Sequence, residues 1–476
     1  MDNKEFRKYG HELVDWMAGY LDEIRKYPVK AQTKPGEIIA QLPLSPPRQG
    51  EPMDAIIADF KKIILPGMTH WQHPGFFAYF NANNSYPSIL AEMLTAAMGA
   101  QCMSWQTSPA ATELEERVME WTAKLVGLPG DFTGVIQDTA STATLCSLLS
   151  AREKYSDFKI NEKGFAGGNK YAIYCSTEAH SSIEKAVKIA GFGRESLRRI
   201  DVDKDFAIIP AALEAEIKKD KQAGFLPLIM VAACGTTGST AVDPLGEVGE
   251  ICRRYDLWLH VDAAYAGTGL ILPEKRWMID GIEHADTFVF NPHKWMFTNF
   301  DCSAYFVKDK GALIRTFEIL PEYLKTKEGK QVNNYRDWGI QLGRRFRALK
   351  LWFVIRHFGV EGLREKIAAH VKWARDFAAG IEAAPDFELL APVPLSTICF
   401  RYSPAGIKEK EVLNTLNARL LEALNGTGKI YLTHTKLNGI YTIRLVIGQT
   451  GQQETDVKEA WELIRRTAAR ELEDTL

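Results

Sequence analysis

Between residues 130 and 310 the chain alternates short apolar runs with longer stretches of helical periodicity, and this alternation narrows the folds open to it. Residues 135–136, 172–174, 228–231, 257–261 and 287–290 are runs of Val, Ile, Leu, Tyr, Phe and Trp that read as strands. Residues 142–155, 182–190, 210–223 and 245–255 lie between them and are long enough for helices. Strands that alternate with helices pair in parallel, because each connection must cross back over the sheet. Such strands are covered on both faces, which explains runs that are apolar throughout rather than at every second residue.

The flanks read differently. Phe6, Leu13, Trp16, Met17, Tyr20 and Leu21 recur at helical spacing and predict an amphipathic helix. Residues 33–52, rich in Pro and Gly, predict an extended connector placed to lie over a partner subunit. From about residue 345 two helical stretches, 345–357 and 361–383, precede strands at 397–401, 430–433 and 441–446. Helices at 408–424 and 454–472 complete a smaller α+β domain. The expected domains are therefore 1–84, a helical segment packing on a partner subunit; 85–345, the large α/β domain; and 346–476, the small one.

Composition excludes several classes. Lys and Arg total 58 against 60 Asp and Glu, so no basic excess points to nucleic acid or an anionic membrane. No apolar run approaches the roughly 20 residues of a bilayer span, and the charged start lacks the apolar core of a signal peptide. Seven scattered cysteines with no Cys-x-x-Cys pair argue against a disulfide framework or zinc site and suit a cytoplasmic location. No metal site is expected.

Four places could carry chemistry. Lys294, in Phe290-Asn291-Pro292-His293-Lys294-Trp295, directly follows a strand. Partial burial there would lower its amine pKa and make it a nucleophile toward an aldehyde, although alone it reads equally as a lysine in a turn. Asp262 ends the apolar run Leu259-His260-Val261-Asp262, where a carboxylate needs a cationic partner. A protonated pyridine nitrogen would serve, as would a helix cap or an ordinary ion pair. Asp138-Thr139-Ala140-Ser141 opens a helix after a strand and could cradle a phosphate or simply cap the helix. His180 precedes a helix and could stack on an aromatic ring or be structural. Phosphate cradle, stacking histidine, ring-nitrogen carboxylate and lysine, in that chain order, fit one ligand.

That order, with further motifs, resembles the group II pyridoxal-phosphate decarboxylases, in particular the aromatic-L-amino-acid decarboxylase family of animals and plants. The resemblance is carried by Thr69-His70-Trp71, Phe76-Phe77-Ala78-Tyr79-Phe80, Ser85-Tyr86-Pro87, Ser108-Pro109-Ala110, and His260-Val261-Asp262-Ala263-Ala264-Tyr265-Ala266-Gly267. Asn291-Pro292-His293-Lys294-Trp295, Asn299-Phe300-Asp301-Cys302-Ser303 and Leu342-Gly343-Arg344-Arg345-Phe346-Arg347 extend it. It implies the type I aminotransferase-like fold and an obligate homodimer with active sites at the interface. Lys294 would hold pyridoxal 5'-phosphate as a Schiff base, Asp262 would pair with the ring nitrogen, and His180 would stack on the ring. Thr139, Ala140, Ser141 and Asn291 would hold the phosphate, with Thr237, Ala264 and His293 close by. Tyr323 matches the mobile-loop tyrosine that returns a proton to the α-carbon, and charged residues 326–334 read as a closing lid.

For the substrate, the resemblance implies an aromatic slot lined by Trp71, Tyr79, Phe80 and Phe300. Gly343 matches the small residue that accompanies indolic substrates in plant relatives, although close helix packing also asks for Gly there. Tryptophan or 5-hydroxytryptophan is the expected substrate, with phenylalanine, tyrosine and dopa as alternatives. An aldehyde synthase, a histidine decarboxylase and a non-catalytic binding protein are further readings. The chain departs from the family at Asn81 and Ala82 near the substrate, at Gln101 and Met103, which would reach in from the partner, and at Asp138, which adds negative charge beside the phosphate loop.

Overall fold

In the computed structural model, which describes residues 1–165, 168–319 and 331–473, the five apolar runs become strands of one seven-stranded sheet. β1 is Thr133–Gln137, β2 Lys170–Ser176, β3 Leu197–Ile200, β4 Phe225–Ala233, β5 Trp258–Asp262, β6 Thr287–Phe290 and β7 Ser303–Val307, in the order β1-β7-β6-β5-β4-β2-β3. β2, β3, β4, β5 and β6 pair in parallel, while β7 runs antiparallel to both β6 and β1. Two antiparallel steps restore direction, so β1 points the same way as β6. β3 and β7 escaped the sequence reading: Leu197-Arg198-Arg199-Ile200 is a charged edge strand, and β7 follows β6 too closely for a crossover helix.

The helices Ala140–Tyr155, Ser182–Ile189, Pro210–Gln222 and Leu245–Tyr255 form where the periodicity placed them. Leu145, Leu148 and Ala151 pack with Ile183 and Val187 against Ile173, Ile229 and Trp258. Each fully buried aliphatic side chain of this kind stabilises by about 1.5–3 kcal/mol. Gly267 is needed for close approach, since a Cβ there would sit 2.3 Å from Phe290 Cβ. Polar groups within this layer meet one another: Trp258 Nε1 donates to Ser147 Oγ (2.9 Å), and the Ser147 and Thr287 hydroxyls meet at 2.7 Å.

The chain divides into two compact units. The sheet belongs to the unit made of residues 82–376 and 391–399; the other comprises residues 1–81, 377–390 and 400–476. The second unit contains the opening helix Asn3–Asp22, capped by Asp2, and the helices Lys410–Gly426 and Glu454–Glu473. β8 (Phe387–Leu389), β9 (Thr397–Tyr402), β10 (Thr433–Leu437) and β11 (Ile440–Val446) form a four-stranded sheet in the order β10-β11-β9-β8. The expected strand at 430–433 is displaced: the pairing segment is Thr433-His434-Thr435-Lys436-Leu437, whose outward polar residues hide its periodicity. The two expected central helices are both present within Arg347–Glu382, separated at Gly359, where φ of +65° and ψ of 172° lie outside the helical range.

Two buried polar contacts hold the larger unit's interior. Arg344 donates to both carboxylate oxygens of Glu115 (2.7 and 3.2 Å) and to the Ile136 carbonyl (2.8 Å), while Glu115 accepts the Ile136 N–H (2.9 Å). His260, fully buried in β5, pairs through Nε2 with Thr144 Oγ1 (3.1 Å) and through Nδ1 with Thr287 Oγ1 (2.9 Å). Burial pushes its pKa down to about 4, against the opposing pull of Asp262.

Both contacts give measurable outcomes. Glu115→Ala strands a buried guanidinium and costs about 3–5 kcal/mol, which a lowered thermal midpoint relative to Glu115→Gln will record. An unfolded histidine titrates near 6.5, so below that pH the unfolded chain takes a proton that folded His260 refuses until about 4. Stability must therefore fall as pH falls through this window. His260→Gln is expected to flatten the thermal midpoint between pH 6.5 and 4 relative to the parent; an unchanged slope would contradict the assignment.

Candidate active site

Shared strand direction decides what gathers at one edge. The carboxyl ends of β1, β2, β4, β5 and β6 deliver Thr139, His180, Thr237, Asp262 and Lys294 to the same side of the sheet, where open α/β sheets bind ligands.

After β1, Thr139 caps the helix Ala140–Tyr155: its hydroxyl accepts the Thr142 N–H (3.4 Å), and its carbonyl accepts the Ala143 N–H (3.1 Å). The N–H groups of Ala140 and Ser141 thus belong to the first turn, which has no carbonyl of its own to meet them. Ser141 is exposed and Ala140 buried. This end can take an anion. Asp138 already lies beside it. Its Oδ1 accepts the Thr139 N–H (2.6 Å) and stands 3.3 Å from the Thr139 hydroxyl, and its Oδ2 accepts from Gln341 Nε2 (3.2 Å).

After β2, the Ser182 N–H donates to His180 Nδ1 (3.2 Å), with the Ser182 hydroxyl 2.8 Å from the same atom. A backbone donor at Nδ1 makes that nitrogen the acceptor, so the neutral ring carries its proton on Nε2. His180 keeps an exposed side, yet desolvation is the largest influence lowering its pKa; Asp262 opposes it, while Lys294 and Lys185 add to it. His180, Asp262 and Lys294 thus share one electrostatic neighbourhood.

After β4, Thr236 organises the turn carrying Thr237: its hydroxyl accepts the Ala241 N–H (3.1 Å) and meets Ser239 Oγ at 3.2 Å. Thr237 is exposed. After β5, Asp262 Oδ1 accepts the Ala264 N–H (3.0 Å), which fixes the carboxylate at the strand end. Ala264 in turn accepts the Asn291 N–H on its carbonyl (2.9 Å). After β6, the short helix Pro292–Trp295 presents Lys294, half-buried. Asn291 Oδ1 accepts the Ser303 hydroxyl (2.6 Å), leaving the N–H end of that amide as the donor.

Asn83 is a residue that sequence reasoning missed. Its N–H donates to the His293 carbonyl (3.0 Å), and its side-chain amide donates to the Lys294 carbonyl (2.7 Å). Gln341 and Ser303 were likewise unread as partners; only Ser303 had a signal, as the last residue of the 299–303 motif. Buried His293 accepts the Cys302 N–H on Nδ1 (2.9 Å), and burial pushes its pKa down to about 3. It is therefore neutral with its proton on Nε2, and its ring lies 4.7 Å from that of Phe300.

The residues expected around the substrate fall in both units. In the smaller, Trp71 and Tyr79 stack at 5.9 Å, and Tyr79 holds a φ of +53°, a conformation that costs a non-glycine residue on the order of 1 kcal/mol. Arg444 donates to the Tyr79 carbonyl (2.7 Å) and covers the Phe80 ring at 4.4 Å. Asn81 is buried, and neither atom of its amide has a hydrogen-bond partner. In the larger unit Ala82 is half-buried and Phe300 exposed. Gln101 Oε1 accepts the Arg344 N–H (2.7 Å), and a Cβ added at Gly343 would meet Gln101 Nε2 at 3.1 Å. Gln101 and Gly343 are thus neighbours, and the carbonyl of Met103, two residues beyond Gln101, accepts the Arg336 N–H (2.9 Å). Tyr323 and residues 326–330 of the expected lid lie outside the described residues.

These groups fit pyridoxal 5'-phosphate in kind: an anion-taking helix end, a pinned carboxylate for a ring nitrogen, a neutral imidazole for a ring face and a half-buried amine for an aldehyde. Comparison with known proteins agrees. Residues 35–403 match the model of the pyridoxal-dependent decarboxylase conserved domain. The chain is 43% identical to phenylacetaldehyde synthase of Arabidopsis thaliana, over 98% of this chain and 97% of that protein. It is 42% identical to tyrosine decarboxylase 3 of Petroselinum crispum, over 100% and 94%. The crystal structure of Oryza sativa TDC with PLP and tryptamine superposes with a TM-score of 0.96 at 36% identity, covering 99% of each chain. The chain belongs to the pyridoxal-dependent decarboxylase family, a carboxy-lyase whose cofactor is pyridoxal 5'-phosphate.

Proposed function

We propose that this enzyme converts aromatic L-amino acids to arylalkylamines and carbon dioxide, with tryptophan or 5-hydroxytryptophan preferred. The delivery of Lys294, Asp262, His180 and the Thr139–Ser141 helix end to one sheet edge carries the reading.

When bound, the cofactor supplies an electron sink for the pair left behind by carbon dioxide. The residues supply the rest. Lys294 Nζ would be the amine that holds the cofactor through its aldehyde. The Asp262 carboxylate, fixed by the Ala264 N–H, keeps a proton on the ring nitrogen. His180, with Nδ1 turned to Ser182, would lie on the ring face. Ala140 and Ser141 N–H groups, the Thr139 and Ser141 hydroxyls and the Asn291 amide hold the phosphate, with Thr237, Ala264 and His293 near it. Tyr323 would return the proton to the α-carbon from its hydroxyl, with the charged stretch 326–334 that follows it in the sequence as the expected lid.

The substrate preference rests on Gly343. The absent Cβ, which would press on Gln101 Nε2 at 3.1 Å, would leave room for the larger indole, while Trp71, Tyr79, Phe80 and Phe300 would offer aromatic surface. Asn81, Ala82, Gln101 and Met103 tune that slot. The relatives named above include a tyrosine decarboxylase and a phenylacetaldehyde synthase, so tyrosine use and oxidative aldehyde formation are the competing outcomes.

A homodimer with active sites at the interface completes the proposal, with residues 1–84 packed on the partner. Tyr86, Leu90, Met93, Leu94 and Met98 form an exposed apolar stripe on the helix Tyr86–Met98, as an interface helix would. The described helices include none long and apolar enough to cross a membrane. All seven cysteines are buried and none is in a disulfide, which suits a reducing cytoplasm.

Carbon dioxide release from tryptophan, 5-hydroxytryptophan, phenylalanine, tyrosine, dopa and histidine tests the substrate. Indolic substrates should have the highest kcat/KM, and Gly343→Ser should shift the ratio toward tyrosine by about tenfold or more, the scale on which steric pocket changes discriminate. A parent enzyme that favours tyrosine or dopa would refute the indolic preference. Amine should form without ammonia or hydrogen peroxide, whereas Tyr323→Phe should release both with the carbon dioxide. Lys294→Ala should abolish turnover and the visible absorbance of the bound cofactor.

A further inference from the structure

Asp138 is a carboxylate that the reaction does not use, placed where an anion is to bind. It precedes the helix-cap residue Thr139, and three donor groups surround it: the Thr139 N–H at 2.6 Å, the Thr139 hydroxyl at 3.3 Å and Gln341 Nε2 at 3.2 Å. Held between the loop backbone and Gln341, it cannot swing clear of the helix end without losing these contacts. The carboxylate therefore occupies the positive end of the Ala140–Tyr155 helix dipole. It also takes up the Thr139 N–H, which adjoins the N–H groups of Ala140 and Ser141.

The cofactor's phosphate, a dianion near neutral pH, needs that same helix end. Bringing it in places two anions on adjacent peptide units, and like charges this close repel strongly inside a protein. The fixed carboxylate has a second effect, since it keeps the helix end ordered when no phosphate is there. We propose that Asp138 weakens retention of pyridoxal 5'-phosphate, so that this enzyme exchanges its cofactor readily and its occupancy follows the free cofactor concentration. This rests on reading Thr139–Ser141 as the phosphate cradle.

The test is cofactor binding rather than turnover. Holoenzyme is dialysed to follow cofactor loss, and the resolved protein is titrated with pyridoxal 5'-phosphate by absorbance. Asp138→Asn keeps an oxygen acceptor for the Thr139 N–H but removes the charge. It should tighten binding by about tenfold and slow the loss correspondingly; Asp138→Gly should also slow it. Inorganic phosphate should protect the Asp138→Asn variant from thermal unfolding at lower concentration than the parent. Equal or weaker cofactor binding by Asp138→Asn, with circular dichroism unchanged, overturns the proposal. Ser141→Ala and Thr139→Ala separate the two readings. If they weaken binding while Asp138→Asn does not tighten it, only the Asp138 inference fails. If they leave binding unchanged, the cradle itself is wrong.

Discussion

Everything at the site depends on one constraint: β1, β2, β4, β5 and β6 all run in the same direction. Parallel pairing forces each crossover to leave from one edge, so a residue following any of these strands is delivered there whatever its distance along the chain. β7 is the exception that preserves the rule. Lying antiparallel between β6 and β1, it brings Ser303 beside Gln137 at the same edge and lets β1 join without reversing it. Residues from Thr139 to Ser303 can then serve one ligand although more than 160 positions separate them.

Hydrogen bonding then turns proximity into defined chemistry. Three of the ionisable or tautomeric groups at the edge are oriented by a backbone donor, Asp262 by Ala264, His180 by Ser182 and His293 by Cys302, while the Lys294 carbonyl accepts from the Asn83 side-chain amide. Backbone donors do not titrate, so both neutral imidazoles carry their proton on Nε2, and His293, pushed down to about 3, keeps that form across the range where a free histidine would switch. Such partners set the orientation of these groups within the protein itself.

How much of this the sequence disclosed follows from what is local. The strands of purely apolar composition and the residues that follow them were legible, because burial on both faces leaves its mark on each run separately. β3 and β10 were not, since their charged and hydroxyl residues match loops as well as edge strands. Lys294 and Asp262 could be singled out by position after a strand. Their fixing partners could not: Asn83 is 211 residues from Lys294, and Gln341 is 203 from Asp138. Nor does any local pattern announce that Glu115 and Arg344, 229 residues apart, share a buried contact.

The cysteines have a consequence of their own. All seven are buried, and desolvation raises the thiols of Cys102, Cys146, Cys175, Cys234, Cys252 and Cys302 above their ordinary range. Thiolate is the reactive form, so native protein is shielded twice, by access and by protonation. Alkylating reagents then act as a clock for breathing motions. Cys302, whose N–H holds His293, would be modified only when the segment behind Lys294 comes apart, and the order in which the thiols react would chart which parts of the fold open first.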